Sequence, residues 1–88
     1  MPFDDLTQLH DDALLVLYAN GDPGAARVLT TRLAPRVHAQ AWRLLGDAAE
    51  AEDVTQDALL RLWKIAPEWR QGEAKVTTWL YRVTANLA

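Results

Sequence analysis

Three acidic residues recur at helical spacing in the second half of the chain. Glu50, Asp53 and Asp57 are separated by three and four residues, which places their carboxylates on one face of an α-helix. Gln56 lies beside them, and Arg61 follows Asp57 by one turn. Such a face suits docking onto a basic helical partner, because complementary charge sets register and encounter rate. A solvated face with one intrahelical pair between Asp57 and Arg61 explains the same spacing.

A second group of polar residues recurs every four positions near the end of the chain. Thr78, Arg82 and Asn86 present a hydroxyl, a guanidinium and an amide along one helix face, bordered by Tyr81 and Thr84. These groups contact phosphates and base edges in protein–DNA complexes. The spacing therefore favours a surface that reads nucleic acid.

The loop before this segment combines an aromatic residue with cations. Trp69, Arg70, Gln71 and Lys75 supply a flat ring, two positive charges and an amide. Stacking on an aromatic ring with cations nearby is how proteins hold an unstacked base. The alternative is that Trp69 and Trp79 only cover a small core.

Other site chemistries find little support in the residue types. The chain has no cysteine, which excludes disulfides, thiolate metal sites and a thiol nucleophile. His10 and His38 lie on different predicted helices without metal-ligand spacing. We therefore predict no catalytic residues, no metal and no cofactor, and a protein that is not an enzyme.

Hydropathy and the first residues indicate a cytoplasmic protein without a membrane span. The longest apolar run, residues 13–19, is far shorter than the roughly 20 residues a spanning helix needs. The first five residues lack the basic start of a signal peptide.

Charge is distributed unevenly along the chain. The formal net charge is −3, yet residues 23–46 carry four arginines and no acid, whereas residues 47–66 carry five acids and two cations. Such zoning gives one molecule differently charged faces for different partners, although solvation of helices explains it too. The Arg32, Arg36 and Arg43 face either contacts phosphates or is only solvated.

The elements that must position these residues are all helical. A chain of 88 residues, half of them hydrophobic, predicts one domain over residues 1–88. Helical periodicity without an alternating strand pattern predicts an all-α fold, a small bundle. Four helices are expected, at about residues 4–20, 23–45, 47–66 and 77–88. A break at Pro35 would divide the second and make five.

Start and stop residues set these bounds. Asp22 and Asp47 are the expected N-caps of the second and third helices, Gly46 ends the second, and Thr77 or Thr78 caps the fourth. The predicted buried stripes are Leu6, Leu9, Ala13 and Leu17 in the first helix, Val28, Leu29, Leu33, Val37, Ala41 and Leu44 in the second, Val54, Ala58, Leu62 and Ile65 in the third, and Leu80, Val83 and Leu87 in the fourth.

The order of the residues carries a more specific signal. Residues 51–63 read AEDVTQDALLRLW, and residues 78–87 read TWLYRVTANL. Together these strings resemble region 2 of bacterial sigma factors of the extracytoplasmic-function (ECF) group, within the sigma-70 family. The resemblance extends upstream and covers about residues 11–88.

The resemblance implies a transcription-initiation module without catalysis. In such factors the helix that matches residues 51–63 docks on the clamp helices of the RNA polymerase β′ subunit, which implies this role for Asp53, Gln56 and Asp57, helped by Arg61. The last helix and its loop resemble the elements that read the promoter minus-ten element and hold a flipped base of the non-template strand. The residues implied in DNA binding are Trp69, Arg70, Gln71, Lys75, Thr78, Tyr81, Arg82 and Asn86.

Two points bound what the resemblance implies. Full family members continue into a region 4 domain that reads the minus-thirty-five element, and this sequence has none, so only polymerase docking and minus-ten recognition carry over. Such factors are often held inactive by an anti-sigma factor, a further expected partner. The alternative function is a protein-interaction bundle that binds polymerase or an anti-sigma factor without reading DNA.

Overall fold

The computed structural model describes residues 6–88. Its four α-helices are α1 (Asp11–Ala19), α2 (Pro23–Leu45), α3 (Ala48–Ile65) and α4 (Val76–Leu87). Short 3₁₀ turns lie at Leu6–Gln8 and Ala66–Glu68. No strand occurs between residues 6 and 88, which confirms the predicted all-α fold.

The longest helix, α2, is the spine of the bundle. Its 23 residues extend about 35 Å, and it packs against α1, α3 and α4. Helix α3 also packs against α4. The exposed surfaces of α3 and α4 are therefore held in place by a shared support.

Local capping fixes where α2 and α3 begin. The Asp22 carboxylate accepts a hydrogen bond from the Gly24 amide at 2.9 Å, and the Asp47 carboxylate accepts one from the Glu50 amide at 2.9 Å. Gly46 ends α2 in the left-handed region, at φ 68°, a conformation that glycine adopts without strain. The two N-caps and the glycine stop are as predicted.

Helix α2 passes through Pro35 without a break, so the five-helix alternative is wrong. Proline removes one backbone donor, and the carbonyl that loses its partner belongs to Thr31. Pro35 and Thr31 are both exposed, so water can reach that carbonyl. Leu33 and Val37 on either side are buried, and their packing holds both halves on one axis.

The first helix is shorter than predicted. It begins at Asp11, and the predicted start at Asp4 lies outside the described residues. Arg32 donates hydrogen bonds to the backbone carbonyls of Thr7 and Leu9 at 3.0 and 2.9 Å. A helix continuing through this segment would direct those carbonyls at amides four residues later, so the tertiary bonds favour the 3₁₀ turn instead.

The last helix starts earlier than predicted. It begins at Val76, and the preceding Lys75 makes no side-chain cap, so capping by Thr77 or Thr78 is wrong. Val76 is buried in the core, and this packing fixes the first turn without a cap.

The core corrects some of the predicted stripes. Helix α1 buries Leu14 and Leu15, whereas Leu9 is 37% exposed and Leu44 of α2 is 55% exposed. Because α1 starts at Asp11 and packs between α2 and the second 3₁₀ turn, the apolar residues at its centre enter the core. The largest fully buried side chains are Leu14, Leu15, Leu29, Leu33, Leu62, Leu80, Val37, Val76 and Thr84.

The described helices were also compared with the requirements for crossing a membrane. Within residues 6–88, none combines the length and the apolar content that crossing a bilayer requires.

Candidate functional site

The acidic face of α3, formed by Glu50, Asp53, Gln56 and Asp57, is exposed along its whole length. The opposite side of α3 is buried against α2 and α4, which directs these polar groups outward. Among residues 6–88, salt bridges form only between Arg32 and Asp11 and between Arg70 and Glu73. The acidic face therefore has no internal counter-charge.

The pair between Asp57 and Arg61 that the solvated-face alternative requires is not formed, although both side chains are exposed. Arg61 instead lines a groove of about 670 Å³ between α3 and α4, together with Leu60, Trp79 and Val83. Leu60 is 63% exposed. Leu60 was not predicted from the sequence as part of a site. The one signal that could have indicated it is the presence of an apolar residue directly before Arg61, close to the charged positions.

The loop between α3 and α4 folds around a tryptophan pair. The Trp69 and Trp79 rings meet edge to face with centroids 6.3 Å apart, and both pack against the core. The two rings, with Arg70, line a small pocket of about 320 Å³ that we call the tryptophan pocket. Its remaining lining residues are Ile65, Glu68, Glu73 and Ala74.

Two features of the tryptophan pocket bear on ligand binding. The Trp69 indole N–H is buried and has no acceptor, which costs free energy. The Arg70–Glu73 ion pair at its rim is long, at 3.8 Å, and 80% and 67% exposed, so it contributes little. Arg70 is therefore free to turn toward an anionic ligand.

The other cationic loop residue lies on a different side of the loop. Gln71 and Lys75 face the first turn of α1 across a cleft of about 500 Å³. The Gly72 amide donates a hydrogen bond to the Asp12 carboxylate at 3.3 Å, which ties the loop to α1. The loop residues predicted to bind DNA are thus divided between the tryptophan pocket and this cleft.

Helix α4 presents the polar stripe predicted from its spacing. Thr78, Arg82 and Asn86 are exposed, and Tyr81 beside them is 39% exposed; we call these four residues the reading edge. Thr84 does not border this stripe. It is fully buried, and its hydroxyl donates to the Leu80 carbonyl at 2.8 Å. Such back-bonding satisfies a threonine inside a helix, so its polarity did not place it at the surface.

Helical geometry brings the reading edge and the tryptophan pocket together. Trp79 and Asn86 are seven residues apart on α4, about two turns, so they lie on the same side of the helix. Trp79 in turn contacts Trp69. Trp69 and Asn86 therefore lie on one side of the domain.

The arginines of α2 are not equivalent. Arg32 is bound by three groups, the carbonyls of Thr7 and Leu9 and the Asp11 carboxylate at 2.9 Å. Arg36 and Arg43 are exposed, and neither forms a hydrogen bond or an ion pair within the described part of the chain. Arg32 therefore has a structural role.

Comparison with known proteins identifies the family. Residues 29–88 match the family model of Sigma-70 region 2. The chain belongs to the sigma-70 family, as the region 2 resemblance predicted.

Its relatives are sigma factors. The chain is 32% identical over 83 residues to the RNA polymerase sigma-H factor of Pseudomonas aeruginosa, an alignment that covers 94% of this chain and 42% of that protein. It is 35% identical over 75 residues to the ECF RNA polymerase sigma factor SigE of Mycolicibacterium smegmatis, covering 82% of this chain and 28% of the relative. The ECF RNA polymerase sigma factor SigW of Bacillus subtilis is 31% identical over 67 residues, covering 76% and 35%.

The chain thus spans less than half the length of each of these relatives. No solved structure matches it.

Proposed function

We propose that this domain docks on RNA polymerase through α3 and reads the promoter minus-ten element through α4 and the loop before it. The observation that carries the proposal is the presence of two separate exposed surfaces on one bundle. One is the unpaired acidic face, and the other is the reading edge beside the tryptophan pocket. The names of the relatives, which are RNA polymerase sigma factors, support it.

The polymerase contact follows from the charge on α3. Asp53 and Asp57 have no partner of their own within the described residues, so their charge is available to a basic helical partner such as the β′ clamp helices. Gln56 adds a donor and an acceptor that fix register, and Arg61 adds a positive charge one turn beyond Asp57.

The DNA contact follows from the chemistry of the pocket and of α4. The tryptophan pocket is at the small end of ligand sites, a size suited to a single base from the non-template strand. Arg82 and Asn86 carry the groups that contact phosphates and base edges. Arg70 adds a cation at the tryptophan pocket, and Gln71 and Lys75 would contact the strand from the cleft on the other side of the loop.

The energetics require both surfaces. Separating stacked pairs costs about 1.4 kcal/mol per step, and flipping a base costs a few kcal/mol more. Stacking on an aromatic side chain returns only about 1–3 kcal/mol per base. The domain alone is therefore expected to bind promoter DNA weakly. Docking on polymerase raises its local concentration at the strand.

The proposal also defines the setting in which the domain works. It assigns the domain no catalysis, and its two partners place it in the cytoplasm. An anti-sigma factor is the third proposed partner. The exposed Leu60 in the α3–α4 groove gives such a protein an apolar contact beside the acidic face.

Binding of a labelled minus-ten non-template oligonucleotide, with and without polymerase core, tests the proposal. We expect weak, sequence-dependent binding by the domain and much tighter binding in the presence of polymerase. Scrambled oligonucleotide is the matched control. Equal binding of both sequences under both conditions would leave only the protein-interaction bundle as a function.

A further inference from the structure

A second cationic surface lies between α2 and α4, on the side of α4 that Tyr81 faces. It is a groove of about 510 Å³, which we call the α2–α4 groove, lined by Arg36, Ala39, Gln40 and Arg43 of α2 and by Tyr81 of α4. Tyr81 is also one of the four residues of the reading edge, so the groove and the reading edge share this residue.

The positive charge of this groove is not neutralised within the described residues. Residues 23–46 contain no acid, and Arg36 and Arg43 have neither an ion pair nor a hydrogen bond between residues 6 and 88. Arg32, one turn before Arg36, is bound to the segment before α1 and to Asp11. The two free arginines are thus available to an anionic ligand, whereas Arg32 is not.

Gln40 gives the groove a fixed shape. Its side-chain amide donates a hydrogen bond to the Tyr81 carbonyl at 2.9 Å and so joins the middle of α2 to the middle of α4. The bond also sets the amide orientation, because the reverse orientation would place two acceptors together. The remaining Gln40 oxygen is buried without a donor. Arg36 and Arg43, one turn before and after Gln40, are held at the groove by this link.

The spacing of the cationic and aromatic groups in the α2–α4 groove indicates that its ligand is a nucleic-acid strand. Arg36 and Arg43 are seven residues apart, about 10.5 Å along the helix axis, so long side chains can reach successive phosphates of one strand. The Tyr81 ring is 39% exposed and offers a stacking surface to a base. Stacking on this ring requires an unpaired base, which favours single-stranded over duplex DNA.

We infer that the α2–α4 groove binds the sugar-phosphate backbone of single-stranded DNA, with Arg36 and Arg43 on phosphates and Tyr81 under one base. The inference rests on the proposed function, because it extends the strand's path from Arg82 across Tyr81 to α2. It adds two residues that act on any sequence, whereas the reading edge acts on particular bases.

Salt-dependent binding of an oligothymidylate of about 16 nucleotides to the 88-residue protein tests the inference. Loss of one phosphate contact lowers the slope of log K against log salt by about 0.7 on a single strand, and lowers affinity about fivefold at 0.1 M salt. We expect these changes for Arg36→Gln and for Arg43→Gln. Tyr81→Leu should lose about tenfold, whereas Tyr81→Phe retains binding.

Arg27→Gln is the matched control. Arg27 is also exposed on α2 and loses the same charge, but it lies nine residues before Arg36 and therefore on the opposite side of the helix. Circular dichroism should show unchanged helicity for all variants, since the three arginines form no bond within residues 6–88.

The outcomes separate this inference from the proposed function. Equal effects of all three arginine variants would overturn the groove assignment, while sequence preference lost in Arg82→Ala would still support minus-ten reading. Weakened binding of polyglutamate with unchanged oligothymidylate binding would identify an acidic protein partner and overturn the assignment to DNA. Failure of the unmodified protein to bind oligothymidylate at low salt would overturn the groove assignment, while the minus-ten oligonucleotide with polymerase core tests the proposed function separately.

Discussion

The acidic face of α3 and the reading edge with its loop are built by different means. The acidic face needs only helical periodicity: its residues lie on one helix, are exposed, and form no ion pair between residues 6 and 88. The loop depends on tertiary contacts, which are the Trp69–Trp79 packing and the Asp12–Gly72 hydrogen bond. A charged helix face can thus be specified locally, whereas a pocket between two tryptophans requires distant parts of the chain to meet.

The largest effect is expected from substitutions that disrupt the acidic face alone. Asp53→Arg combined with Gln56→Ala should weaken capture by polymerase core about 100-fold or more, because it introduces a like charge against a basic partner and removes an amide contact. A pull-down titration with purified core measures it. Helicity should not change, since both residues are exposed.

The control for this variant is Glu52→Arg, which makes the same charge change on α3. Glu52 is exposed and neighbours Gln56, but it lies about 100° around the helix from Asp53 and about 140° from Asp57, so it is offset from both carboxylates. Undiminished capture by the Asp53 variant, or equal loss in the Glu52 variant, would contradict docking through this face.

The next largest effect is expected from a substitution that disrupts the loop between α3 and α4 and leaves the acidic face intact. Trp69→Ala should lower the free energy of unfolding by about 2 kcal/mol, less than for a fully buried tryptophan, because the ring is half-buried. It should also abolish binding of the minus-ten oligonucleotide while polymerase capture persists. Urea titration and the two binding assays measure these.

Trp42→Ala serves as its control, since Trp42 is 47% exposed on α2. It should cost much less stability and leave both binding activities intact. If Trp69→Ala kept full oligonucleotide affinity, the tryptophan pair would be only a cover for the core.

A smaller effect distinguishes reading from packing within α4. Arg82→Ala and Asn86→Ala should each lower oligonucleotide affinity by about 1–3 kcal/mol and reduce the preference over scrambled sequence. Both residues are exposed, so stability should hold. Fluorescence anisotropy with both oligonucleotides measures this, with Arg27→Ala as the charge control. Unaltered preference in both variants would remove α4 from base reading.

The smallest effect concerns the tie between α1 and the loop. Asp12→Ala removes the acceptor for the Gly72 amide, an exposed bond of 3.3 Å, and should cost at most about 1 kcal/mol. Hydrogen exchange at Gly72 should become faster. The control is Asp12→Asn, which removes the same charge but keeps an acceptor oxygen. Exchange at Gly72 should be slower in this variant than in Asp12→Ala. Identical exchange rates in both variants would show that the bond does not hold the loop.

Features that depend only on residues nearby in the sequence were predictable. Asp22, Gly46 and Asp47 act through their own backbone neighbours, so the bounds of α2 and α3 agree with prediction to within one residue. The exposure of Asp53, Gln56 and Asp57 follows from the apolar stripe on the other side of α3. The resemblance to sigma region 2 rested on the order of these same residues.

Residues whose position depends on distant contacts were not predictable. The late start of α1 is favoured by Arg32, which lies 23 residues after Leu9 and bonds its carbonyl. Thr84 is a separate case: it lies one turn after Leu80 on the buried side of α4, and the hydrogen bond from its hydroxyl to the Leu80 carbonyl satisfies its polar group there. The α2–α4 groove joins residues far apart in the chain, and Gln40 in it bonds a carbonyl 41 residues away.

The support of three helices by α2 has a consequence for how such domains diversify. The side chains that hold the bundle together, such as Leu33 and Val37, point inward, and neither exposed surface includes them. Substitutions at Arg82 or Asn86 can therefore diversify the α4 surface proposed to read DNA without changing the α3 surface proposed to dock on polymerase. The shared support by α2 allows the two surfaces to vary independently.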